Sequence, residues 1–176
     1  MHSMDTDRAD RAKRAKELNS IFASVMDEGH HLVGAERAAV FMIDEGSGEL
    51  WSRVATEDEG KAADSVGIIK CPLGEGLVGR CVRERAPVNI ADAYQEPDFD
   101  RSVDNRTGFK TKSVLVVPIW SKSDDSEEGK VIGAVEMLNK KSEDGDTIVP
   151  FTSTDEKIVE MLASHVASFI RVVDSS

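Results

Sequence analysis

The feature that most constrains this chain is that its apolar, β-type runs come in neighbouring pairs. Ala38–Ile43 and Glu49–Ala55 are separated only by Asp44-Glu45-Gly46-Ser47-Gly48, a string of turn formers. Lys112–Trp120 and Lys130–Lys140 flank a second short polar tip. Runs this close in sequence pair antiparallel, because a parallel pair needs a crossover of about a dozen or more residues. Two amphipathic segments bracket these pairs. In residues 8–33, Leu18, Ile21, Phe22, Val25, Met26 and Leu32 share one helical face. From Ser153 to Val173 the stripe is Ile158, Leu162, Val166, Phe169 and Val173, and Ser153 with Glu156 has capping-box spacing. A mainly antiparallel sheet with helices on its faces is an α+β sandwich, not a doubly wound sheet.

Smaller elements fill the middle. Gly67–Leu73 reads as a third strand, Leu77–Arg85 as a helix burying Leu77, Val78, Cys81 and Val82, and Pro87–Ile90 as a short strand. Residues 91–98 suggest a helical turn stopped by Pro97, and residues 98–107 another short helix. Gly29 and Gly34 are candidate breaks or C-caps of the first helix. Residues 57–65 and 141–150 read as polar loops, and the acidic tip 121–129 as an exposed, mobile one. No repeat or linker divides the chain. The expected organisation is an N-terminal helical extension or cloning remnant over 1–16, one domain over 17–173, and a tail over 174–176.

A length of 176 residues suits one domain. The net charge of -11 argues against a nucleic-acid polymer or an anionic membrane as partner, because both need a basic face. No run reaches the ~18 apolar residues of a membrane span. The charged start lacks the apolar core of a signal peptide. Cys71 and Cys81 make neither a disulfide framework nor a metal motif, although a bridge between them stays open. These features point to a reducing, cytoplasmic setting.

The connection from Asn89 to Ile119 runs from one apolar strand to the most apolar strand of the chain through a long polar segment. Long connections in compact domains are usually lids or binding loops. Asp104, Thr107 and Thr111 recur about one helical turn apart in it. Hydroxyls and a carboxylate suit a sugar–phosphate, while the bland alternative is local helix capping. Glu136 shares a strand face with Ala134 and Leu138, an acid beside two apolar side chains. Gly74-x-Gly76-x-x-Gly79 has dinucleotide-fingerprint spacing, but hairpins rather than a βαβ unit surround it. It reads better as a tight strand-to-helix turn, whose helix N-terminus can still favour an anion. Catalytic residues are not expected. His30 and His31 are adjacent and point about 100° apart on a helix, so they are not expected to share a metal.

Asn139-Lys140, a gap over residues 141–150, Phe151, and then Asp155-Glu156 match a complete family signature. On these residues, and on the segment NIADAYQEPDFDRSVDNRTGFKTKSVLVVPI, the chain resembles the GAF domains, most closely the cyclic-nucleotide-binding type of phosphodiesterases and adenylyl cyclases. The likeness covers roughly residues 17–173. It implies a central antiparallel sheet with the N- and C-terminal helices on one face and a ligand-covering helical lid on the other. It also implies a Lys140–Asp155 salt bridge that supports the pocket from behind, with Phe151 packed beneath. Leu77 and Val78 match positions whose backbone approaches the phosphate or sugar. Asp104, Thr107 and Thr111 match lid contacts, and Glu136 a pocket glutamate. Ala39 stands where relatives carry a serine near the base. The base-reading position falls at Thr56, with Glu57 and Asp58 as neighbouring choices, and no stacking aromatic matches there.

The expected function is therefore regulatory. A cyclic nucleotide, cAMP or cGMP with cAMP favoured through Thr56, would bind under the lid and signal to a catalytic domain of the parent chain. No other cofactor is expected. Exposed apolar positions on the terminal helices suit a homodimer. The alternatives are a dimerisation module without a small ligand, and a redox or chromophore-bearing domain using Cys71 or Cys81.

Overall fold

The computed structural model describes residues 2–55, 68–121 and 129–174. Helix α1 spans His2–Leu32 and leads into strands β1 (Ala35–Asp44), β2 (Glu49–Ala55) and β3 (Lys70–Pro72). Helix α2 (Gly76–Glu84) and strand β4 (Val88–Ile90) follow. A 3-10 turn over Ala93–Gln95 and helix α3 (Ser102–Thr107) then lead to strands β5 (Val114–Ser121), β6 (Lys130–Lys141) and β7 (Ile148–Val149), and to helix α4 (Ser153–Asp174). The strands form one antiparallel sheet in the order β3-β2-β1-β6-β5-β4, with β7 added on β6.

Strand alternation builds two cores. On one face Ala38 and Val40 of β1, Leu115, Val117 and Ile119 of β5, and Val135 and Met137 of β6 meet α1 and α4. On the other face Ala39, Phe41, Val114, Val116 and Ala134 meet Leu77, Val78, Cys81 and Val82 of α2. The β1–β6 contact depends on Gly133, where an added Cβ would lie 2.2 Å from the Phe41 carbonyl oxygen.

Several expectations shift. The buried stripe of α4 is Val159, Ala163, Val166 and Ala167, whereas Phe169 is 38% exposed. Ile158 and Leu162 pack at its edge, and the Val173 side chain lies outside the described residues. Large side chains suggested the stripe, but small alanines are what let α4 lie close on β5. The cap is one residue early: Thr152 Oγ1 accepts from Asp155 N at 3.1 Å, and Asp155 Oδ2 accepts from Thr152 N at 2.7 Å. This pair, not Ser153 with Glu156, is the capping box. Leu32 is 66% exposed rather than on the inner face. Gly29 breaks nothing; it lies inside α1 where Leu162 packs, and Gly34 supplies the left-handed residue after the helix, at φ 69°. Residues 148–149 of the presumed loop are a strand. Of the expected third strand only Lys70–Pro72 is one. The loop 57–65, most of the acidic tip, Gly67 and Thr56 lie outside the described residues.

Candidate functional site

The turn from β3 into α2 brings a helix start against the sheet. Gly74 (φ 87°) and Gly76 (φ 66°) hold left-handed backbone, and Gly79 sits against Gly74, 2.9 Å from where its own Cβ would be. The glycine spacing thus serves a strand-to-helix turn. The N–H groups of the first turn of α2 have no acceptor within the helix, and the N-cap Glu75 makes no side-chain cap bond. Gly76, Leu77 and Val78 line a cavity of about 130 Å³ between the sheet and the segment 91–111.

That segment is a lid held down by its own polar groups. Asp104 is only 6% exposed, and its carboxylate accepts from Thr111 Oγ1 at 2.7 Å, Thr111 N at 2.8 Å and the Tyr94 hydroxyl at 2.9 Å. Ala93 N donates to Lys112 O at 2.7 Å, and Arg80 pairs with Glu96 at 3.0 Å. Asn139 anchors the return of the lid. Its backbone is left-handed (φ 57°), which turns the amide inward. Nδ2 donates to Lys110 O and to Glu36 Oε2, each at 2.9 Å, and Oδ1 accepts from Lys112 N at 2.6 Å.

Of the expected site residues, Ala39, Leu77, Val78, Asp104, Thr111 and Glu136 all line the cavity. Thr107 does not line it. Its hydroxyl donates to Val103 O at 2.8 Å and accepts from Phe109 N at 3.3 Å, closing the end of α3. This is the helix-capping arrangement of the alternative reading for Thr107. Among the signature residues, Lys140 Nζ lies 2.6 Å from Asp155 Oδ2 and also donates to Val33 O at 3.2 Å. Burial alone would push the Asp155 carboxyl up, but hydrogen bonds from Lys140 and Thr152 hold it below the usual carboxylate range. Phe151 is buried in the helix-side core, its carbonyl accepting from Asn89 Nδ2 at 3.1 Å, and Glu156 N donates to Thr152 O.

The structure adds residues that sequence reasoning missed. Arg37 reaches the cavity from β1; its guanidinium lies 3.9 Å over the Phe109 ring. Its Nε is buried and has no hydrogen-bond partner among the described residues. Lys70 also lines the cavity, over the Trp51 ring, and Phe99 and Phe109 supply aromatic surface from the lid. Alternation along β1 placed Arg37 on the side of Ala39, the one signal that pointed to it. Glu136 is pushed up to about 7, by burial first and then by the nearby Asp104 charge. Cys71 lines the cavity too. Burial and then Glu136 raise its thiol to about 11, and burial with Glu84 raises Cys81 to about 12, so neither is an activated thiolate. At the end of α1 the His30 and His31 rings lie 3.9 Å apart, centroid to centroid.

The sheet is covered by terminal helices on one side and by a lidded cavity on the other, and the family model for the GAF domain matches residues 17–170. The chain belongs to the GAF family. It is 34% identical over 136 residues to the dual 3',5'-cyclic-AMP and -GMP phosphodiesterase 11A of Takifugu rubripes, covering 74% of this chain and 14% of that protein. It is 30% identical over 152 residues to a probable 3',5'-cyclic phosphodiesterase of Caenorhabditis elegans, covering 83% of this chain and 19% of that one. The chain thus spans less than a fifth of the length of these curated relatives. The same fold occurs in the GAF domain of an Acinetobacter phosphoenolpyruvate-protein phosphotransferase, with a TM-score of 0.68, 18% identity, and coverage of 99% of this chain and 96% of that one. It also occurs in the type II free methionine-R-sulfoxide reductase of Thermoplasma acidophilum, with a TM-score of 0.64, 17% identity, and coverage of 91% and 96%. The fold therefore hosts enzymes as well as other domains. No described helix is long and apolar enough to cross a membrane.

Proposed function

We propose that this chain is a non-enzymatic regulatory module that binds a cyclic nucleotide beneath the lid and signals to a catalytic domain of its parent protein. The observation that carries the reading is Arg37, which lines the cavity faced by the start of α2 and whose buried Nε has no hydrogen-bond partner among the described residues. Together they are an unmet demand for an anion, which a cyclic phosphate supplies. Thr111 and Asp104 then face the sugar, and Phe99 offers a surface for the base. The two phosphodiesterase relatives support a cyclic nucleotide as the anion. The base preference is cAMP, through Thr56. The cavity of about 130 Å³ is below the ~300–1,000 Å³ usual for small-molecule sites, so binding goes with displacement of segment 91–111. A cytoplasmic setting follows from this role. The raised thiols of Cys71 and Cys81 count against a redox activity.

Calorimetry with cAMP and cGMP on the purified chain tests the reading. The expected result is saturable one-to-one binding, weakened roughly tenfold or more by Arg37→Ala, about 1.4 kcal/mol. A second reading is a dimerisation module without a small ligand, favoured by the exposed Leu32 and by Met161, 65% exposed on α4. A folded chain that binds neither nucleotide, yet dimerises through α1 and α4, would establish it.

A further inference from the structure

We propose that Asp27, His30 and His31, at the C-terminal end of α1, bind a divalent transition-metal ion. This inference does not rest on the nucleotide reading and concerns the opposite side of the molecule. The spacing i, i+3, i+4 sets the three residues on one helix face. Their ligand atoms lie within 4.8 Å of one another. His30 is 6% exposed, and its Nδ1 lies 2.9 Å from Ala35 O. A carbonyl can only accept, so Nδ1 carries the hydrogen and Nε2 is the ring nitrogen left to bind a metal. Asp27 Oδ1 stands 3.9 Å from that nitrogen, too far for a hydrogen bond. Among the described residues no hydrogen bond joins these three groups, and their ligand atoms lie close enough to share one cation. A histidine that donates its other ring N–H to a backbone carbonyl is also the arrangement that orients metal-bound imidazoles.

Two imidazoles and a carboxylate suit zinc, cobalt or nickel. Tetrahedral ligands at ~2.1 Å from a metal sit about 3.4 Å apart. Asp27 and His31 are exposed side chains, so rotamer changes at these two close the remaining distance while His30 stays fixed. The negative end of the α1 dipole favours a cation here. The group borders an open cleft lined by Lys140, Lys141 and Glu143, so the ion and a completing water arrive from solvent. The Lys140 ammonium there is already matched by Asp155 at 2.6 Å, which limits its repulsion of the ion. Occupancy would staple the last turn of α1 beside Val33, whose carbonyl accepts from Lys140.

The test is titration of chelator-stripped chain with Zn²⁺, Co²⁺ and Ni²⁺ by calorimetry, with visible absorption for Co²⁺ and a thermal melt for each. The expected result is one ion per chain, a raised Tm, and at least tenfold weaker binding in Asp27→Ala and in His31→Ala. Both residues are exposed, so these variants leave the fold intact, and circular dichroism checks that they do. His165→Ala and Cys71→Ser serve as controls and are expected to bind as the parent does. No saturable binding overturns the proposal, as does binding that survives the Asp27→Ala, His31→Ala double variant or is lost in either control.

Discussion

The two faces of the sheet are built on opposite plans. On the face that meets α1 and α4, the core is Phe22, Met26, Leu115, Val117, Ile119, Val135 and Met137, apolar side chains at most 1% exposed. Its principal ion pair, Lys140–Asp155, is matched at 2.6 Å and supported by a reciprocal cap. On the face under the lid, the sheet presents Arg37, Glu136 and Cys71 to the cavity, and one guanidinium nitrogen has no hydrogen-bond partner among the described residues. The first face can stabilise the fold by burial alone. The second gives up part of that stability by desolvating charges, the usual mark of a binding surface.

Three substitutions sharpen this contrast. Leu115→Ala removes a fully buried side chain from the helix face and is expected to cost about 3 kcal/mol in chemical denaturation, without changing the groups that face the cavity. Glu136→Gln is expected to act in the opposite direction. Because the folded-state pKa of Glu136 is raised from 4.5 to about 7, the folded chain holds a proton that the unfolded chain releases. Stability contributed by this group therefore falls as pH rises from 4.5 to about 7 and stays low above it. The Gln variant should match the parent below this window and exceed it at pH 8, by on the order of 2 kcal/mol. A stability gap that does not change with pH would show that Glu136 stays ionised. The smallest global effect is expected from Asp104→Ala, about 1 kcal/mol, because the lid can open as a local unit. Its signature is regional: amide exchange should accelerate across 91–111 while the β1 and β6 amides stay protected. Uniform acceleration would mean that lid and sheet open together.

Much of the architecture was legible because it rests on period and proximity. Paired strand runs and the glycine turn before α2 appear where simple spacing puts them, and the Lys140–Asp155 pair appears where the family resemblance implies it. The misreadings share a cause: they depend on what lies across space. Leu32 has the right spacing to be buried, but no described element covers its side of α1. Ala163 and Ala167 look too small to mark a core face, yet smallness is what the close approach of α4 requires. The cap formed by Thr152 has an aspartate as its partner, outside the Ser/Thr-x-x-Glu/Gln pattern that marks a capping box in sequence. In the cavity, Asp104 reads from the sequence as a ligand contact, and only the fold shows that its carboxylate also ties Tyr94 and Thr111 together across the lid. Arg37 stands one residue before the run Ala38–Ile43 that the sequence marks as a strand, and the lack of a hydrogen-bond partner for its Nε among the described residues is visible only in three dimensions.

The Asp104 network has a consequence in time as well as in affinity. Its donors sit on two sides of the lid, Tyr94 before α3 and Thr111 after it, so the lid cannot lift at one edge alone. Opening requires several hydrogen bonds to break together, which makes it infrequent, and the same bonds re-form behind whatever has entered. Molecules should therefore arrive at the rate the lid opens rather than at the rate they diffuse, and leave just as slowly. Such a module would average over brief fluctuations in concentration and respond to a sustained level.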